Sequence, residues 1–195
     1  MEATESIGVS GRLALLWKKN TITYTGYVKM HHWMAGKIKA INRDTEFIII
    51  NVYGPITTDK KKAVWSEINH FLTDLKAPHY IIGGDFNTIL HQSEKIGGAK
   101  IMRQSQKDFI EWVDNNYLLE IKTDKSSHTW NNRRSGFSNI SEILDRFFFK
   151  GDLISFQVEM KASILPWSRS DHFPVLLELI GEVKTIGRPF KFENM

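Results

Sequence analysis

The apolar run His79-Tyr80-Ile81-Ile82 ends in Gly83-Gly84-Asp85-Phe86-Asn87, and this junction constrains the fold more than any other stretch of the chain. It reads as a buried strand that delivers an acid to its end. In an extended segment Asp85 and Asn87 share one face, while Phe86 points the other way into a core. Gly83 and Gly84 let the backbone turn and allow a ligand to approach closely. The competing reading is a loop aspartate capping a backbone N–H, with Asn87 in a turn. A second junction lies far downstream, where Ser170-Asp171-His172 precedes the apolar Phe173-Pro174-Val175-Leu176-Leu177. Each junction sets an acid beside a second polar group at the edge of an apolar run, an arrangement suited to cutting a phosphate ester.

With 195 residues and 42% hydrophobic content, the chain can bury one sizeable core, and its length favours a single domain. Twelve Phe and six Trp supply large apolar surfaces, which argues against disorder along the whole chain. The net charge of +4 is mild and suits a polyanionic partner. No cysteine is present, so disulfides and thiolate metal sites are excluded; a metal must be held by oxygen or imidazole. The first residues are neither basic nor apolar, and no run is long enough to span a bilayer. The expectation is a soluble, intracellular protein.

Thr21 to Val28, Lys37 to Ile41 and Thr45 to Tyr53 are rich in β-formers, with Asn42-Arg43-Asp44 as a turn between the last two. Leu13 to Trp17 reads as a further short strand. From Lys61 to Leu75, apolar residues recur at helical spacing until Pro78. A second helix is expected over Gln104 to Tyr117, with Phe109, Val113 and Tyr117 on one face. Shorter β-like runs follow at His128 to Trp130, Ile143 to Phe149, Gln157 to Leu165 and Val175 to Leu179. The pattern predicts a mixed α/β (α+β) domain with layered sheets over 6–181 and a linker-like tail over 182–195.

Asp171 and His172 are consecutive, so in extended geometry they point to opposite sides: one could face a metal and the other a substrate. Tyr53 closes a strand in Asn51-Val52-Tyr53-Gly54-Pro55, where it serves a ligand or simply rims the core. Asp145 is embedded in Ile143-Leu144-Asp145-Arg146-Phe147-Phe148-Phe149, and a buried carboxylate needs a partner. Arg146 and His172 are the two candidates, although strand alternation sends Arg146 to the opposite face. Thr129-Trp130 offers a hydroxyl beside an aromatic, which core packing explains as well as ligand contact does. His31-His32 reads as surface. Asp59-Lys60-Lys61-Lys62 reads as a solvated helix start, with phosphate contact a secondary reading.

Taken in order, these segments resemble the exonuclease–endonuclease–phosphatase superfamily, and more narrowly the apurinic-type endonuclease domain of plant LINE-type retrotransposon proteins. The segments that carry the resemblance run from Gly8-Val9-Ser10-Gly11-Arg12-Leu13-Ala14-Leu15-Leu16-Trp17 through Asn51-Val52-Tyr53-Gly54-Pro55, Gly83-Gly84-Asp85-Phe86-Asn87, Ser93-Glu94-Lys95, His128-Thr129-Trp130 and Leu144-Asp145-Arg146 to Ser170-Asp171-His172. The resemblance implies a four-layered α/β sandwich and a divalent-metal phosphodiesterase acting on DNA. It implies Mg2+ or Mn2+ as cofactor, and action in the nucleus if DNA is the substrate. It makes His172 a base or proton carrier oriented by Asp145, and Asp85 the group that activates water. Asn87 and Tyr53 would contact the scissile phosphate, Thr129 the substrate, and Asp171 the metal. Residues 188–195 resemble the start of that family's linker toward its polymerase. The family's metal-binding glutamate lies upstream of the segment matched here, so impaired activity is expected. The other reading is a non-catalytic nucleic-acid-binding remnant.

Overall fold

The computed structural model describes residues 2–3, 13–15, 17, 20, 22–41, 46–75, 79–123, 127–151, 158–166 and 169–182. The 8–12 motif, the turn expected at 42–44, Pro78 and the tail from 183 onward lie outside the described residues. In chain order the elements are β1 (Glu2–Ala3), β2 (Ala14–Leu15), β3 (Ile22–Lys29), β4 (Trp33–Ala40), β5 (Glu46–Tyr53), α1 (Thr58–Leu75) and β6 (Tyr80–Asp85). They continue with β7 (Lys95–Ile96), α2 (Gln104–Asn115), β8 (Leu119–Ile121), β9 (Trp130–Asn131), β10 (Ser141–Glu142), β11 (Asp145–Lys150), β12 (Val158–Ile164) and β13 (Val175–Glu182).

A six-stranded sheet in the order β3-β4-β5-β6-β11-β8 forms the centre. Its one parallel pair is β5 and β6, joined through α1; its other pairings are antiparallel. Parallel strands need such a crossover, and both members of this pair are apolar on two faces, as a doubly covered strand must be. Ile48, Ile50 and Val52 of β5 join Val64, Trp65 and Ile68 of α1 and Phe109, Trp112 and Val113 of α2 in one core. Phe47 and Ile49 turn the other way, where Ile81 and Phe149 meet Met160 and Leu177 of the β12–β13 hairpin. The result is an α+β sandwich, as the sequence led one to expect. The described residues account for three of its layers: helices, central sheet and hairpin. None of their helices is long and apolar enough to cross a membrane.

Phe86 is fully buried, with its ring 5.1 Å from Phe109, 5.8 Å from Trp65 and 5.3 Å from Phe148, the last edge-on. Burial of each such ring contributes about 1.5–3 kcal/mol. This cluster pins the segment that carries Asp85 and Asn87. One helix ends earlier than its apolar spacing predicts. Tyr117 is exposed beyond the end of α2, at φ 52, and does not join Phe109 and Val113.

The two glycines before Asp85 serve the packing of the strands, and Gly84 also lines the cavity beside Asp145 and His172. A Cβ on Gly83 would stand 2.2 Å from the Phe147 ring of β11. Gly84 has φ +135, and a Cβ there would stand 2.1 Å from the Val52 carbonyl oxygen. The Phe147 ring and the Val52 backbone occupy the space a side chain would need at either position. Gly83→Ala is therefore expected to lower stability by about 1–3 kcal/mol through overpacking, read as a lowered denaturant midpoint at unchanged slope.

Candidate active site

Asp85 ends β6, and the register places it opposite two other site residues at once. It pairs in parallel with Tyr53 at the end of β5 and antiparallel with Asp145 at the start of β11. Directly paired residues share a sheet face, so all three side chains project toward the layer of the β12–β13 hairpin. The segment before β13 brings in the fourth. His172 forms a bridge with Trp130, and the Phe173 N–H donates to the Thr129 carbonyl at 2.7 Å.

His172 Nδ1 lies 2.9 Å from Asp145 Oδ2, so Asp145 takes the imidazole as its partner. The other ring nitrogen, Nε2, lies 3.9 Å from Asp85 Oδ2. Arg146, the competing partner, is buried on the opposite face and bonds Glu94 and Glu120. One alternation of the strand separates a site residue from a structural ion network.

Asn87 holds Asp85 from the other side. Its backbone N–H donates to Asp85 Oδ1 at 2.8 Å, and its amide donates to Asp85 Oδ2 at 2.9 Å and to the Gly54 carbonyl at 2.7 Å. With those amide hydrogens engaged, the side chain orients the carboxylate; contact with a phosphate requires one hydrogen bond to be released.

Burial, followed by the like charge of Asp145, pushes the Asp85 carboxyl up to about 6, against the pull of the Asn87 N–H and of His172. The hydrogen bond to Asp145 raises the His172 imidazole above its ordinary value despite partial burial. Acid and base are thereby tuned toward neutrality, where proton exchange is most effective. One ligand atom each from Asp85, Asp145 and His172 lies within 4.8 Å of the others. Two carboxylates and an imidazole form a donor set that fits a hard divalent cation.

Two expected site residues are placed elsewhere. Asp171 is exposed, and its carboxylate accepts from the Trp130 indole at 2.9 Å; that bond lowers its pKa. It is not part of the Asp85–Asp145–His172 cluster, its carboxylate being engaged by the Trp130 indole. Thr129, expected to touch substrate, is fully buried, and its hydroxyl accepts from the N–H groups of Leu144 and Asp145 at 2.9 Å each. Thr129 therefore fixes the backbone that carries Asp145. Thr129→Val keeps the volume and strands both N–H groups. A loss of about 1–3 kcal/mol is expected on thermal unfolding, with little effect on the apolar core.

One residue close to the site escaped the sequence reading. Lys61, expected in a solvated helix start, is 3% exposed, and its ammonium donates to the Asn87 carbonyl. Burial draws its pKa down to about 8, against the pull of Asp85. Its spacing to Val64, Trp65, Ile68 and Leu72 is the signal that places it on the inner face of α1.

The family described as endonuclease-reverse transcriptase matches residues 47–176, two thirds of the chain. No curated protein matches it. Among solved structures, an endonuclease/exonuclease/phosphatase family protein from Bacteroides thetaiotaomicron is 17% identical, with a TM-score of 0.59 over 86% of this chain and 68% of its own. The endonuclease domain of TRAS1, a telomere-specific non-LTR retrotransposon, is 15% identical, with a TM-score of 0.57 over 79% and 68%. TDP2 of D. rerio, solved with a single-strand DNA product, is 11% identical, with a TM-score of 0.53 over 80% and 68%. Such low identities establish a shared fold, whereas the family match spans every candidate site residue from Tyr53 to His172 and leaves out only the last residues of β13 on that side of the chain. The chain belongs to the endonuclease–reverse transcriptase family of the endonuclease/exonuclease/phosphatase superfamily.

Proposed function

We propose that this chain is the endonuclease-type domain of a retrotransposon protein, a phosphodiesterase that hydrolyses a DNA backbone with Mg2+ or Mn2+. The observation that carries the reading is the line Asp145, His172, Asp85, with Asn87 behind it, at the strand ends where β5 and β6 run parallel. Open sheets bind ligands at such ends.

Phosphoryl transfer asks a protein mainly for positioning and charge stabilisation. Asp85, held by two hydrogen bonds from Asn87 and tuned close to neutrality, takes the proton of an attacking water. Asp145 fixes the His172 ring through Nδ1 and leaves Nε2 on the Asp85 side to carry a proton or meet a phosphate oxygen. Tyr53, in register with Asp85, brings a phenol to the same face as a phosphate donor. A bound divalent cation supplies charge neutralisation at the phosphate, with Asp85 and Asp145 as the carboxylates that would hold it. Asp171 remains close in sequence as an outer contact. DNA as substrate is supported by two fold relatives, the TRAS1 endonuclease domain and the TDP2 solved with single-strand DNA, and by the net charge of +4; it would place the work in the nucleus.

The test is relaxation of supercoiled plasmid by the purified chain with Mg2+ or Mn2+, beside EDTA and Asp85→Asn. Metal-dependent nicking that Asp85→Asn abolishes is the expected result. DNA binding without nicking in either metal would sink the reading and leave a non-catalytic binding domain.

A further inference from the structure

Beside Asn87, on the helical side of the sheet, a cavity of about 130 Å³ opens between the start of α1, the loop after β6 and the start of α2. Lys61, Lys95 and Arg103 line it, with Glu142 as a lining acid. Lys95 is paired with Glu142 at 2.7 Å. Lys61 is buried, and among the described residues its ammonium makes one hydrogen bond, to the Asn87 carbonyl, and no ion pair. Arg103 is exposed and has no ion pair among the described residues. Two cations thus face one small space without an ion pair among the described residues, Lys61 being answered only at longer range by Asp85 and Glu142. A buried ammonium without a counter-charge is costly, and an anion in the cavity would supply that charge. The inner wall is shared with the catalytic cluster, since Asn87 lines the cavity and also bonds Asp85.

We propose that this cavity is a second phosphate subsite, which takes a backbone phosphate of the DNA strand next to the one cut at Asp85. The inference rests on the phosphodiesterase reading for its strand, and on Lys61 and Arg103 for its anion. The subsite would fix the register of the strand: one phosphate held here places its neighbour across Asn87, against Asp85 and His172. Lys61 then couples the two positions, because its ammonium bonds the backbone of Asn87 and faces the held phosphate.

The test measures binding of a short duplex oligonucleotide in EDTA over a range of salt, so that cleavage plays no part. Arg103→Ala lies on the surface and leaves the core untouched. It is expected to weaken binding roughly three- to tenfold and to lower the slope of log affinity against log salt by about 1, the signature of one lost phosphate contact. Lys61→Met should act in the same direction, with folding checked by circular dichroism. A series of oligonucleotides, each with one neutral methylphosphonate, then locates the contact. One position should weaken the unsubstituted protein and leave Arg103→Ala indifferent. If the salt slope is unchanged in Arg103→Ala, or if both proteins respond alike at every position, the subsite does not exist. Inorganic phosphate is the control for source. Capture of free phosphate that Arg103→Ala abolishes, with oligonucleotide binding unaltered, assigns the cavity to a small anion and overturns the strand reading. Absence of plasmid nicking bears on the catalytic proposal alone, since the binding arms need no metal and no turnover.

Discussion

His172→Ala is expected to lower metal-dependent plasmid nicking by about 10²- to 10⁴-fold, the range for a lost proton-transfer group, with the fold retained. The ring is held by Asp145 at 2.9 Å and lies 3.9 Å from Asp85, so its removal takes away the proton carrier and leaves Asp145 without its partner. The wild-type rate should rise with pH as Asp85 ionises and becomes a base, with a midpoint drawn below its metal-free value of about 6 by a bound cation. Stability should move the other way in metal-free protein. Asp85 has a folded pKa above its ordinary 3.8, so the folded state binds more protons; its contribution is present below about 3.8 and lost as pH rises through about 6. The rise from 3.8 to about 6 corresponds to at most about 3 kcal/mol. His172 has the same sign: its raised pKa contributes stability that is full below 6.5 and lost as pH rises through the folded value. Thermal unfolding in EDTA across this range should therefore show falling stability, and His172→Ala should flatten its upper part. Nicking within about twofold of wild type, or an unaltered pH profile of unfolding, would remove His172 from the mechanism.

Arg146→Met should have the largest effect on stability, about 3–5 kcal/mol, because it leaves Glu94 buried without its counter-charge. The guanidinium bonds both Glu94 oxygens at 3.2 and 2.8 Å, Glu120 at 2.8 Å and the Ile143 carbonyl at 2.6 Å, with the side chain almost wholly enclosed. Glu94 also accepts from the Leu90 N–H at 2.7 Å, so the network ties the loop after Asn87 to the strand that starts with Asp145. The double variant Arg146→Met with Glu94→Gln removes both charges and should recover a large part of the loss. Chemical denaturation of the four proteins gives the coupling directly. A single-variant loss below about 1 kcal/mol, or no recovery in the double variant, would show that the network is solvated and contributes little.

Much of the site was visible in the chain. The strand ending in Gly83-Gly84-Asp85-Phe86-Asn87, the inward Phe86 and the two helices follow from local periodicity, which depends on residues within a few positions of one another. The need of Asp145 for a partner followed from the cost of burying a charge. Periodicity could narrow that partner by face, sending Arg146 away, but could not bring His172 across from a segment 27 residues downstream. The fates of Thr129, Lys61, Gly83 and Gly84 were likewise hidden, because each depends on an atom from another strand or helix: the N–H groups of Leu144 and Asp145, the carbonyl of Asn87, the ring of Phe147, the carbonyl of Val52. The sequence by itself nominated Asp85, Asn87, Asp145 and His172 as candidates and the segments that bear them, since residue type and spacing are properties of the chain. Tertiary structure decided which of them meet, because register across β5, β6 and β11 sets three side chains on one face and burial fixes the partner each polar group must have.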